Sequence, residues 1–166
     1  MEAGEGHGMS CELVFFRKAW ENELKAFVLD ESQMDYVFLP AKALDVLNDE
    51  FCFSVVILWE DVPVGFFVLH FSEEVSLFTD HEYAVFLRAF SINQKHQGKG
   101  YAKAALNQLQ NFMQTHFPQI SEVVLTVNEN NVPAQRLYEE SGFSYVGKNK
   151  QGRSGMELGM HILLKR

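Results

Sequence analysis

The spacing of apolar positions changes several times along the chain, and each change marks an element. Leu13 to Phe16 form an apolar run within 11–17 that predicts a first strand. From 18 to 29 the spacing turns helical, with Trp20, Leu24, Phe27 and Val28 on one face. Pro40 opens a second, shorter helical pattern through Ala43, Leu44 and Leu47. Residues 51–58 and 64–71 are Val- and Phe-rich runs around Glu60-Asp61-Val62-Pro63, which predicts an antiparallel hairpin. A further strand is predicted over 83–92. The clearest helix covers 101–114, where Ala102, Ala105, Leu106, Leu109, Phe112 and Met113 recur three and four residues apart, and Pro118 closes it. A buried strand follows over 120–127. A short helix then spans 133–140, with Asn131 as its N-cap and Gly142 as its stop. Two last strands, 143–146 and 158–164, are joined by a turn rich in Gly and Lys.

This order predicts an α/β fold: a mixed central sheet of about six or seven strands with helices on both faces. One parallel crossover runs from strand 83–92 through helix 101–114 to strand 120–127. No repeat or linker divides the pattern, so residues 9–166 read as one domain. The chain has 166 residues, enough to bury a core without disulfide staples. Apolar residues are 47% and charged residues 22%, which excludes intrinsic disorder and fibrous classes. No window carries the roughly 18 uninterrupted apolar residues of a membrane-spanning helix. Residues 1–8, Met-Glu-Ala-Gly-Glu-Gly-His-Gly, lack the basic and apolar regions of a signal peptide. They read as a disordered lead or cloning scar ahead of a native start at Met9. Cys11 and Cys52 make neither a disulfide framework nor a metal pattern, so no metal is expected and the setting is read as cytoplasmic.

A net charge of −8 argues against a nucleic-acid binder. The charge is unevenly spread. Residues 1–83 hold 17 acids and 4 bases, whereas residues 84–166 hold 5 acids and 10 bases. One reading is solvated helix faces. The sharper one is two ligands, an anionic one held by the C-terminal half and a cationic one near the N-terminal half.

Gln97-Gly98-Lys99-Gly100-Tyr101-Ala102 lies between a predicted strand and the strongest predicted helix. Two glycines in three residues let the backbone turn sharply and approach a ligand. The helix that follows begins with unpartnered N–H groups and the positive end of its dipole, an anion site for which phosphate is the usual occupant. Lys95, Lys99 and Lys103 add positive charge. The alternative is a strand-to-helix turn with nothing bound. A dinucleotide fingerprint is excluded because its third glycine would fall at Lys103, and a Walker loop because Tyr101 follows Gly100.

Gln97-x-x-Gly100-x-Ala102 resembles the Gln/Arg-x-x-Gly-x-Gly/Ala signature of the GCN5-related N-acetyltransferases (GNAT). A second block, Asn131-x-Pro133-Ala134-x-x-Leu137-Tyr138-x-x-x-Gly142-Phe143, is similar to that family's later motif, at the expected distance and in the right order. The resemblance covers about residues 10–164 and implies a GNAT-like fold. It implies acetyl-CoA as donor and a small-molecule primary amine as acceptor, joined by direct attack. Backbone N–H groups from Gln97, Gly98, Lys99, Gly100, Tyr101 and Ala102 would hold the pyrophosphate. Phe90, Ser91 and Ile92 would pair with the pantetheine arm, and one backbone N–H there would polarise the thioester carbonyl. Asn131 would hydrogen-bond the arm. Tyr138 stands where the family often has its general acid, and its other reading is a core aromatic. A hydroxyl there could protonate the departing thiolate. Glu73, Glu74, Asp80 and Glu82 are the candidate bases, none with a motif around it.

Ser32-Gln33-x-x-Tyr36 and Phe86-Leu87-Arg88-x-Phe90-x-Ile92 resemble bacterial polyamine and diamine acetyltransferases. With the acidic first half, they suggest spermidine, spermine or a diamine as acceptor. The alternatives are a protein N-terminal or lysine acetyltransferase and a non-catalytic CoA-binding module. No nucleic-acid or membrane partner is expected, and a homodimer is left open.

Overall fold

Alternate residues of the central strands point to opposite faces, and both faces are buried, which explains why their sequences run apolar without a break. In the computed structural model, which describes residues 11–34 and 36–165, seven strands form one sheet. They are β1 (Cys11–Phe15), β2 (Cys52–Trp59), β3 (Val62–His70), β4 (Ala84–Ile92), β5 (Glu122–Asn128), β6 (Ser144–Gly152) and β7 (Gly155–Leu163). The helices are α1 (Glu21–Lys25), α2 (Glu31–Met34), α3 (Pro40–Val46), α4 (Tyr101–His116) and α5 (Val132–Glu140). The sheet order is β1-β2-β3-β4-β5-β7-β6, parallel only between β4 and β5. Val55, Ile57, Phe67 and Leu69 join the core under α4 and α5, and Val56, Leu58, Phe66 and Val68 the core under α1 and α3. Phe66 and Phe67 are buried on opposite faces. Each contributes about 2–3 kcal/mol of transfer free energy. The predicted mixed sheet with helices on both faces is present, and β4–α4–β5 is the predicted crossover.

Four boundaries differ from expectation. The helix predicted over 18–29 is a 3₁₀ turn at Lys18–Trp20 followed by α1, and it ends at Lys25. The Val28 N–H bonds the Asn93 side chain, and its carbonyl accepts the Gln94 N–H, so this segment runs extended beside the end of β4. Strand β1 stops at Phe15 instead of 17. The hairpin turn is only Glu60-Asp61, both at positive φ, 49° and 68°, which suits a tight two-residue connection. The Gly- and Lys-rich segment read as a turn is instead the body of the β6–β7 hairpin, which turns at Arg153-Ser154. Strand β6 is a polar, exposed edge, the kind of strand that hydrophobic patterning misses. The reading of residues 1–8 as a lead before Met9 lies outside the described residues. No helix of the described residues is long and apolar enough to cross a membrane.

One buried charge ties three elements together. The Glu122 carboxylate, at the start of β5, is 1% exposed and accepts the Thr79 hydroxyl at 2.7 Å. It also lies 2.8 Å from His81 Nδ1 and 2.6 Å from His161 Nδ1. Glu122→Ala is expected to lower stability by about 2–3 kcal/mol, because three donors lose a charged acceptor. For a chain of this size that is a fall of about 5–10 °C in a thermal melt. A melt unchanged within a degree or so would mean the cluster contributes nothing.

Candidate functional site

Strands β4 and β5 pair only at Ala84–Glu122, Val85–Val123 and Phe86–Val124. Beyond that point they separate. The cause lies in β4: Ala89 sits at φ 57°, and the β3–β4 register slips between Phe66 and Val68, so two residues of β4 oppose one of β3. A bulge bends its strand and increases twist. A non-glycine residue in this conformation costs about 1–2 kcal/mol, and such strain concentrates at functional sites. From Leu125 to Asn128, β5 stays paired on its other edge, with β7. Among the described residues, no β4–β5 ladder bond forms beyond Phe86–Val124, so the facing edges keep peptide groups that an extended ligand can use, apart from the Ile92 and Asn128 carbonyls, which side chains or turns engage.

The opening is a cavity of about 370 Å³. Of the residues singled out in the sequence, Phe90, Ser91, Ile92, Gln97, Gly98, Ala102, Asn131 and Tyr138 line it. Lys99, Gly100 and Tyr101 do not line it; they form the turn at its end. Gly98 and Gly100 have φ of 77° and 82°, and nothing lies within 4 Å of where a Cβ would stand on either. Gly100 is the N-cap of α4, and its carbonyl takes the helix bond from the Ala104 N–H. The N–H groups just before Ala104 have no helical partner. Lys95 and Lys99 flank this turn, and burial followed by these two cations holds His96 below its ordinary pKa. The turn is thus electropositive and open. The Tyr101 ring packs on Trp59, with centroids 4.8 Å apart, at the edge of the core, so its backbone is what it offers to the turn.

Several polar groups in the cavity are structural. The Gln97 side chain donates to the Ile92 carbonyl at 2.9 Å and to Gln33 at 3.2 Å, which pins the turn to β4. Asn131 accepts the Ala134 N–H at 3.3 Å and caps α5. Ser91 differs. Its hydroxyl is buried and has no hydrogen-bond partner among the described residues. An orphaned hydroxyl costs about 1–3 kcal/mol, which an amide-bearing ligand in the cavity would relieve. Tyr138 is 8% exposed, with its ring against Phe90 and Phe143 at 6.2 and 5.8 Å. Burial pushes its hydroxyl far above the ordinary tyrosine pKa, so it stays protonated. No hydrogen bond holds that hydroxyl among the described residues.

A profile of the acetyltransferase (GNAT) family matches residues 16–143. The N-acetyltransferase YbbJ of Bacillus subtilis is 36% identical over 154 residues, covering 92% of this chain and 96% of its own. The chain belongs to the GNAT acetyltransferase family. This GNAT chain also shares its fold with solved structures. Spermidine N-acetyltransferase from Vibrio cholerae, in complex with CoA and spermine, superposes with a TM-score of 0.69 at 20% identity, covering 93% and 95% of the two chains. The aminoglycoside acetyltransferase AAC(6′)-Ib, with paromomycin and acetyl-CoA, gives 0.73 at 14% identity, covering 93% of each.

Beyond Tyr138 the GNAT cavity continues on the far side of the splay. A space of about 190 Å³ there is lined by Tyr138, Thr126 and Glu157, and an outer one of about 380 Å³ adds Glu74, Lys150 and Arg153. Tyr36 lines all three spaces, and Gln33 the first. Among the four carboxylates considered as bases, Glu73, Asp80 and Glu82 line none of these spaces. Glu74 lines the outer one but is held by Arg88 and Lys150 at 2.8 and 3.2 Å. Glu157 escaped the sequence reading because it lies in the segment taken for a turn. Its strand register, opposite Asn128, is what brings it to the site. The fold also gathers Asp49, Cys52 and His70, whose ligand atoms lie within 4.8 Å of one another, although no spacing of the two cysteines signals it.

Proposed function

We propose that this protein transfers the acetyl group of acetyl-CoA to the primary amine of a small molecule. The observation that carries this reading is the splayed β4–β5 pair, with the Gly98–Gly100 turn at one end of its cavity and the Tyr138 hydroxyl in its wall. The residues fit the donor. The open turn from Gln97 to Ala102 offers backbone N–H groups and positive charge to a pyrophosphate. The free edge at Phe90, Ser91 and Ile92 offers strand-like bonds to the pantetheine arm, and the orphaned Ser91 hydroxyl a further one. One backbone N–H on that edge polarises the thioester carbonyl, as an oxyanion donor does. The Asn131 amide N–H groups are left for the arm, since its oxygen caps α5. When bound, acetyl-CoA supplies the activated acyl group, and the chain's task is to orient it, stabilise the oxyanion and protonate the thiolate. Tyr138 is suited to that last role because burial keeps it protonated.

The two thiols are both free, which supports a cytoplasmic setting. Two finer readings of the acceptor have support. The acidic first half, and the likeness to an enzyme named for spermidine, favour a polycation. The mixed charges of the outer space favour another class. A thiol-release assay with acetyl-CoA and a panel of polyamines, amino acids, aminoglycosides and short peptides tests the activity. Silence across the panel, with coenzyme binding intact by calorimetry, would favour a non-catalytic CoA-binding module. Turnover with peptides alone would favour a protein acetyltransferase.

A further inference from the structure

Among the described residues, the acidity of the first half of the chain does not converge on the outer space. Three cations and two carboxylates line the outer space: Arg88, Lys150, Arg153, Glu74 and Glu157. Glu74 is the one of these from the acidic half, and both its oxygens are engaged, one by Arg88 and one by Lys150. Those two cations hold its carboxyl below the usual range, so it stays charged and matches only one of them. Arg88 is fixed in place: its Nε donates to His70 Nδ1 at 3.0 Å, and its guanidinium lies 4.3 Å over the Phe86 ring. Burial, then Arg88 itself, keeps His70 below its ordinary pKa and able to accept that bond. Arg153 stands exposed at the β6–β7 turn and makes no ion pair among the described residues. Among the described residues, the outer space therefore carries an excess of positive charge with unused N–H donors.

The inner space holds one cation and one carboxylate among the described residues, Arg88 and Glu157. Glu157 lines it beside Thr126 and Tyr138. One Glu157 oxygen accepts the Asn128 amide at 3.2 Å, and the other has no partner among the described residues and can meet a cation. Arg88 and Glu157 line both spaces, Glu157 beside Tyr138, whereas Lys150 and Arg153 line only the outer one, so the positive charge grows outward.

We propose that the acceptor is an amine that also carries an anionic group, a carboxylate or phosphate, a few bonds from its nitrogen. Its ammonium faces Glu157, and its anion faces Arg88, Lys150 and Arg153. This inference rests on the acetyltransferase reading above and names the substrate class of the same site. The ammonium gives one proton to Glu157, and the freed amine forms the C–N bond to the acetyl carbon. The C–S bond breaks, and the sulfur takes its proton from Tyr138. The second N–H proton, lost as the amide forms, restores the Tyr138 hydroxyl.

Acceptors matched in length settle the question: 5-aminopentanoate against 1,5-diaminopentane, with 2-aminoethyl phosphate and spermidine alongside, assayed by thiol release at low salt. The anionic amines are expected to exceed the diamine in kcat/KM by about tenfold or more, with the carboxylate and phosphate arms telling the two anions apart. In the double variant Lys150→Gln, Arg153→Glu that ratio should collapse toward one, with KM for acetyl-CoA unchanged. Both positions are exposed edge-hairpin residues, and a melt checks that the variant folds. Glu157→Gln should be slow at neutral pH and recover as rising pH deprotonates the amine in solution. A diamine or spermidine preference in the wild type, or a ratio that survives the double variant, overturns the inference and leaves the acetyltransferase reading standing. Thiol release that no amine raises above the amine-free rate overturns both.

Discussion

Gly100→Asp is expected to weaken acetyl-CoA binding by at least about a hundredfold while the protein stays folded. Gly100 caps α4 at φ 82°, and a Cβ there meets nothing within 4 Å, so the substitution causes no collision. Its conformational cost is about 1 kcal/mol or somewhat more, a fall of only a few degrees in the melt. The effect on binding has two sources. A carboxylate at this position can accept the first N–H groups of the helix, the donors a pyrophosphate needs. It also puts a negative charge about 5 Å from a phosphate, worth about 3 kcal/mol per charge at an effective dielectric near 20. Calorimetry with acetyl-CoA reads the result directly. Unchanged affinity in a folded variant would place the phosphates elsewhere.

Tyr138→Phe should act on turnover alone. The ring keeps its contacts with Phe90 and Phe143, and no hydrogen bond is lost because the hydroxyl makes none among the described residues. The melt should therefore stay within about 2 °C of wild type, less than the loss of one structural hydrogen bond would give. Removing a positioned acid costs about 10²- to 10⁴-fold in kcat, or about 3–5 kcal/mol of transition-state stabilisation. Affinity for acetyl-CoA should change little. A kcat within about threefold of wild type, measured where chemistry limits the rate, would end the general-acid role.

Much of this architecture was legible in the sequence because it depends on local rules. The 3.6-residue spacing of α4 and the unbroken apolar runs of β2, β3 and β4 reflect which faces are buried, and burial is written in residue type. The Gly98–Gly100 turn was legible for a related reason. Few residues other than glycine tolerate positive φ there, and a helix following such a turn carries its anion site with it. The second block was legible because the Asn131 cap and the Pro133 that follows it mark where α5 begins.

What escaped depended on contacts between distant segments. The helix read over 18–29 ends early because Asn93 and Gln94, some 65 residues away in sequence, offer Val28 other partners. The β6–β7 hairpin is polar because one of its strands is an exposed edge, so its length left no hydrophobic trace. Its register alone brings Glu157, Lys150 and Arg153 to one space beside the cavity. The splay between β4 and β5 is likewise tertiary. A single residue at Ala89 adopts a conformation its sequence does not favour, and the surrounding sheet holds it there. The sequence by itself determined the layers of the fold, the Gly98–Gly100 turn and the position of the tyrosine. The tertiary structure alone decided that the strands part, that Tyr138 is buried with no hydrogen bond to its hydroxyl among the described residues, and which charges line the spaces beside it, because those follow from pairing and burial across the whole sheet.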